Sequence, residues 1–122
     1  MSEQMTKTEQ EFKEVLTECQ SLFSKKLHDY GASWRILRPS SLTDQLFIKA
    51  KRIRSIEITG ENRVGESVRQ EFIALINYGI IGLIQLERSF VDTVDITPEE
   101  AMALYGKHAK ATYELMLKKN HD

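Results

Sequence analysis

Apolar residues return at steps of three and four along most of this chain, and nowhere do they alternate with period two over a useful length. Between Thr8 and His28, the residues Phe12, Val15, Leu16, Cys19, Leu22, Phe23 and Leu27 share one stripe, which predicts a first helix. Asp29-Tyr30-Gly31 stops it, with Gly31 suited to a left-handed cap. Ser41 and Asp44 have the spacing of an N-terminal cap, and Pro39 stands just ahead. They predict a second helix with Leu46, Phe47, Ala50 and Ile53 as its apolar stripe, ended by Gly60. A third helix is expected from about Gly65 to Phe90. Its middle, FIALINYGIIGLI, is apolar nearly all round, the mark of a helix central in the fold or set in a subunit interface. Gly79 and Gly82 each cost a helix interior about 1 kcal/mol relative to Ala. Keeping both points either to close approach of another helix or to simple tolerance. The fourth helix starts at Thr97-Pro98-Glu99-Glu100, where Thr97 caps, Pro98 takes the first helical position and Glu100 closes a capping box. Lys118 and Lys119 suit its C-terminal end. Ile56-Glu57-Ile58 is too short to count as a strand. The expected class is all-α: four helices in an antiparallel bundle.

With 122 residues, one domain spanning 1–122 is expected, with 1–8 as a disordered tail. The hydrophobic share of 41% and charged share of 29% are ordinary for a soluble protein. A net charge of −1 argues against a general nucleic-acid binder, although Lys49–Arg54 makes a local basic patch. The polar start MSEQMTKTEQ lacks the apolar core of a signal peptide, and the apolar run Phe72–Ile84 is too short to span a bilayer. A cytoplasmic location with no membrane partner is the default. Cys19 is the only cysteine and lies on the apolar side of the first helix, where it reads as a small buried hydrophobe. His28, His108 and His121 are scattered, without zinc spacing.

Candidate chemistry concentrates between Asp29 and Glu57. The only Trp, Trp34, stands with Arg35 and Arg38 in the short segment before the second helix. An indole stacks on a base, and Arg takes phosphate. On the second helix Gln45, Lys49 and Arg52 point one way, near Asp44. Lys and Arg on one face suit a phosphate or carboxylate; a solvated face with ion pairs has the same appearance. In the third helix Glu66, Gln70 and Asn77 share a face, with Glu71 and Tyr78 on the adjoining one. Asn77 within an apolar run must find partners or cost about 1–3 kcal/mol. It holds a ligand's polar edge or fixes helix register. Glu11, Glu14 and Glu18 stack on the first helix, which suits magnesium as well as a plain solvated surface. The chain has no G-x-S-x-G, no plausible Cys–His pair and no P-loop; GENRVGES reads as the turn between the second and third helices.

The segments KKLHDYGASWRILRPSSLTDQLFIKAKRIRSIE and VGESVRQEFIALINYGIIGLIQL carry, in order, D-Y-G-x-S-W, S-L-T-D-Q, K-x-x-R-I-R and E-F-x-x-x-x-N-Y. Over about Glu14 to Leu86 the chain resembles the nucleotide modification associated domain 1 family, formerly a domain of unknown function. That family is similar to the MazG-type all-α nucleoside triphosphate pyrophosphohydrolases. The resemblance implies a MazG-like helical bundle, a homodimer or higher homo-oligomer, and a nucleotide-like small molecule as partner. For a hydrolase it also implies magnesium, held by E-x-x-E on one helix and E-x-x-D on the next, to neutralise the triphosphate and activate water. Here the E-x-x-D position reads Glu71-Phe-Ile-Ala74 and the E-x-x-E position Lys49-Ala-Lys-Arg52. Two cations standing for two carboxylates do not hold a magnesium pair in the same manner, and Glu71 is expected to pair with Lys49 or Arg52.

Three readings follow. The first is a nucleotide- or phosphate-binding helical domain with Trp34, Arg35, Arg38, Asp44, Gln45, Lys49, Arg52, Asn77 and Tyr78 around the ligand. The second is a magnesium-dependent hydrolase that uses Glu66 or Glu71 in catalysis and Glu14, Glu18 or Glu71 on the metal. The third is a non-catalytic helical oligomer, supported by Gly79, Gly82 and the all-round apolar third helix. The first is preferred.

Overall fold

Thr6 opens the first helix. Its hydroxyl accepts the Glu9 N–H at 3.1 Å while the Glu9 carboxylate accepts the Thr6 N–H, a complete capping box. The computed structural model describes residues 6–60 and 68–120. They form helices α1 (Lys7–Tyr30), α2 (Pro39–Thr59), α3 (Val68–Arg88) and α4 (Pro98–Asn120), with a 3-10 turn, Ser33–Ile36, between α1 and α2. The all-α, four-helix expectation holds, and among the described residues there is no strand. No described helix is long and apolar enough to cross a membrane.

Several boundaries differ from those the sequence suggested. Residues 6–8, expected in the tail, cap and begin α1. Gly31 does end α1, donating to the Leu27 carbonyl at φ 67°. Its ψ of −167° places it outside the left-handed helical region, in one open essentially to glycine alone. Helix α2 starts at Pro39, with Arg38 at the cap position and no side-chain cap. Ser41 therefore lies inside the first turn and does not cap with Asp44. Proline at the first helical position has its φ already set and lacks the N–H a cap would satisfy. Gly60 closes α2 in the left-handed conformation, as expected. Helix α3 ends at Arg88, two residues early, because Ser89 takes a positive φ of 65°. Thr97 and Glu100 form the expected capping box at α4, with both bonds at 3.1 Å. The expected turn GENRVGES falls almost wholly outside the described residues.

The helices run up, down, up, down. Helix α4 is antiparallel to α1, with Phe12 stacked on Tyr113 and Phe23 against Tyr105. The start of α2 adjoins the end of α3 through Leu37 and Gln85, and its later turns adjoin the start of α3 through Lys49 and Glu71. Helices α1, α3 and α4 surround a core of Phe23, Leu27, Ile80, Ile84, Leu104 and Tyr105. Helix α2 packs almost entirely on α3 and scarcely touches α1. Space is left between α1 and α2, above the surface of α3.

Candidate functional site

Where α1 and α2 part, the fold encloses a cavity of about 270 Å³. Leu22, Phe23, Lys26, Leu27 and Tyr30 of α1 form one wall; Ser33, Trp34, Ile36 and Leu37 of the 3-10 turn close the end. Ala74, Asn77, Tyr78 and Ile81 of α3 complete it. The lining is mostly apolar, and the exposed Lys26 gives it one cation. Trp34 is half-buried and fixed against Phe23, with ring centroids 5.9 Å apart, so the indole is held in place as part of the wall.

Two hubs hold the walls. Asn77 donates through Nδ2 to the Cys19 carbonyl at 3.1 Å and accepts at Oδ1 from the Tyr105 hydroxyl at 2.7 Å. It ties α1, α3 and α4 together, so register is its first role, although it also borders the cavity. Burial pushes the Tyr105 hydroxyl well above the usual phenol range, which keeps it a neutral donor. Cys19, fully buried beside this hub, has its thiol pushed up by desolvation, in line with its reading as a buried hydrophobe.

The second hub is Arg35, only 1% exposed. Its guanidinium donates to Gln85 Oε1 at 2.6 Å and to the Ser89 carbonyl, and its Nε lies 3.0 Å from Asp95 Oδ1. Gln85 Nε2 in turn reaches the Arg35 and Leu37 carbonyls, both at 2.8 Å. The Val91 N–H donates to the Arg35 carbonyl at 3.3 Å. Arg35 thus locks the 3-10 turn to the end of α3 and to the segment before α4. Arg35, expected around a ligand, is buried, with Nε in an ion pair with Asp95 that is not a hydrogen bond and no open side toward solvent. Arg38 also turns away from the cavity: its guanidinium sits 4.8 Å over the Phe90 ring.

The basic pair on α2 meets the acid on α3. Glu71 is 1% exposed. Lys49 Nζ lies 3.5 Å from its Oε2 and Arg52 Nη1 3.5 Å from its Oε1. Oε2 accepts no hydrogen bond, so this carboxylate is held by charge at a distance more than by close bonding. Lys49 is 18% exposed and Arg52 47%, so the pair keeps donors on the open side. One carboxylate against two cations leaves a formal surplus of positive charge. Glu71 stands one helical turn before Ala74, about 4.5 Å along the axis, on the stripe that continues through Tyr78 into the cavity. The cavity and the ion cluster are therefore neighbours along α3. Asp44 is exposed and Gln45 half-buried on α2, and neither lines the cavity.

The carboxylates suggested for a metal do not gather. Glu14 and Glu18 are exposed on α1, and Glu18 is paired with Arg69, which holds its carboxyl below the usual range. Glu71 is occupied by two cations, and Glu66 lies outside the described residues. No three His, Cys, Asp or Glu among the described residues converge on one point. A magnesium pair does not fit the Lys49–Glu71–Arg52 arrangement, whose exposed donors would repel it.

A family model described as nucleotide modification associated domain 1 matches residues 26–86, half of the chain. The chain belongs to that family. No curated protein and no solved structure matches it. The matched stretch begins at Lys26, later than the sequence motifs suggested, and runs through the 3-10 turn, α2 and nearly all of α3. It contains Trp34, Lys49, Arg52, Glu71, Asn77, Tyr78 and Gln85, so the ion cluster and most of the cavity lining fall on nucleotide modification associated domain 1 sequence, while Leu22 and Phe23 of the cavity and the Cys19, Tyr105, Ser89 and Asp95 partners of the hubs lie outside it. The description places the chain among domains associated with nucleotide modification.

Sequence reasoning missed Gln85 and the α1 wall. Gln85 was readable as the other polar residue in the apolar centre of α3. The wall residues Leu22, Phe23 and Leu27 stand on the apolar stripe of the first helix, and periodicity does not separate a residue facing a core from one facing a cavity.

Proposed function

We propose that this domain binds a nucleotide-like ligand without turning it over, with the base in the α1–α3 cavity and the phosphate toward Lys49 and Arg52. The observation that carries the reading is the adjacency of the two parts: a cavity walled by Trp34 and Tyr78 opens beside a cation surplus one helical turn along α3. The apolar lining suits a flat heterocycle, since aromatic side chains stack on any base face. A phosphate suits the open side of Lys49 and Arg52, where the guanidinium fork and the mobile ammonium both donate. Asn77 and Ser33 supply the few polar contacts an otherwise apolar site needs for orientation. Arg35 and Arg38 support the site from outside it.

The Lys49–Glu71–Arg52 cluster favours binding over magnesium-dependent pyrophosphohydrolysis of the MazG kind, which would need carboxylates where the two cations stand. Calorimetry with ribo- and deoxyribonucleotides, with and without magnesium, tests the reading. Binding tighter than about 1 mM, a free energy of about −4 kcal/mol, is expected without magnesium. Lys49→Ala and Arg52→Ala should each weaken it at least tenfold. Absence of binding across the panel, or binding indifferent to both substitutions, contradicts the proposal.

A further inference from the structure

The cavity between α1 and α3 is supplied with hydrogen-bond donors that the fold itself does not use. The side chains of Lys26, Ser33, Trp34 and Tyr78 line it, and among the described residues they take part in no hydrogen bond or ion pair. Arg35, Gln85 and Glu71 differ in this respect, being buried and engaged. A lysine ammonium and an indole N–H can only donate, whereas the hydroxyls of Ser33 and Tyr78 donate or accept. No Asp or Glu among the described residues lines the cavity.

Asn77 adds a third donor, and its hub fixes which way the amide faces. The Cys19 carbonyl can only accept, so Nδ2 must lie toward it and Oδ1 toward the Tyr105 hydroxyl. Burial keeps that hydroxyl protonated, so it donates. One hydrogen of Nδ2 goes to Cys19 and the second is spare, while Oδ1 already holds a donor. Lys26, Trp34 and Asn77 thus give the cavity three side chains with donors to offer, and no carboxylate balances them. Lys26 is exposed on the α1 wall, whereas Lys49 and Arg52 stand on α2, outside the lining. With the phosphate at α2, Lys26 is left for another part of the ligand.

We propose, on the reading that the cavity holds a base, that Lys26 sets the choice of base: the cavity takes a pyrimidine-2,4-dione, the uracil or thymine type, in preference to bases with an exocyclic amine. Adenine, guanine and cytosine each present such an amine, at N6, N2 and N4, and only the dione presents carbonyl oxygens without one. Against spare donors a carbonyl completes a hydrogen bond. An amine leaves donor facing donor, with both desolvated and unpaired. Lys26 makes the difference largest, because a charged donor forms the stronger hydrogen bond. The single ring donor of the dione, N3–H, is met by the Ser33 or Tyr78 hydroxyl, either of which can accept. Uracil and cytosine differ only along this edge, which carries O4 and N3–H in one and an amine beside a bare N3 in the other.

Calorimetry on the full chain with UTP, CTP and ATP, without magnesium, tests the inference. UTP should bind roughly tenfold tighter than CTP, the worth of one charged hydrogen bond. Lys26→Met keeps the length of the side chain and removes the ammonium, and should bring UTP and CTP within about twofold of each other. Lys26→Arg keeps the charge and should keep the preference. Lys26 is exposed, so neither variant disturbs the core, which far-ultraviolet dichroism checks. Equal affinities for UTP and CTP in the wild type, or tighter binding of ATP than of UTP, overturn the inference and leave nucleotide binding standing. So does a Lys26→Met protein that binds both pyrimidine nucleotides more weakly by the same factor, which would put Lys26 on the phosphate. Binding of none of the three, by contrast, counts against nucleotide binding itself and removes the inference with it.

Discussion

Arg35 shows how far burial can reverse the meaning of a residue. In sequence it stands beside Trp34 and looks ready for phosphate; in the fold its guanidinium is buried and directed to Gln85, Ser89 and Asp95. Its removal should therefore act on stability rather than on affinity alone. Arg35→Met keeps most of the bulk but leaves Gln85 Oε1 and the Ser89 carbonyl without their donor. A loss of about 3 kcal/mol is expected, read as a lower urea midpoint with an unchanged slope. A loss below about 0.5 kcal/mol, the size of an ordinary surface change, would show that the clamp is not holding the turn. Glu71 illustrates the opposite case. Its pairing with Lys49 or Arg52 is what the resemblance leads one to expect, and both cations reach it.

At the scale of elements, punctuation decided most of what could be read. Gly60 and the Thr97–Glu100 box act where the sequence places them. Ser41 does not, because Pro39 opens the helix two residues earlier. The paired expectation is direct: Thr97→Ala should cost about 1 kcal/mol, whereas Ser41→Ala should fall within about 0.5 kcal/mol of wild type, both by thermal or chemical unfolding. Equal losses would mean that Ser41 caps after all. Thr6 and Glu9 carry the same box signature, but the stripe of apolar residues that marks the helix begins only at Phe12. Ser89 gave no warning, since a serine with positive φ has no local sequence mark. The all-α class and the four helices were therefore readable from period alone. The cavity was not, because it depends on α2 leaning on α3 and leaving α1, a packing choice no single helix encodes.

At the scale of the molecule, α3 serves two sides. One side carries the cavity and Glu71; the other is an apolar face with its two glycines. An all-round apolar helix in a chain of this length suggests either a central position or an interface, and the fold sets it at the centre, against all three other helices. The candidate site is split in the same way. Trp34, Asn77 and Tyr78 came together at the cavity and Lys49 and Arg52 beside it, whereas Arg35 and Arg38 were diverted to structure. The resulting account is one of binding, in which Glu71 restrains two cations instead of holding metal. Trp34 is the only tryptophan and forms part of the cavity wall, so its fluorescence reports occupancy directly. The decisive measurement is a titration of that fluorescence with a nucleoside triphosphate, without magnesium, in wild type and in Glu71→Gln. Removing the buried charge frees Lys49 and Arg52, so the account predicts a saturable change in both proteins and severalfold tighter binding in Glu71→Gln. No response in either protein, or a wild type that releases pyrophosphate with magnesium and loses that release in Glu71→Gln, would contradict it.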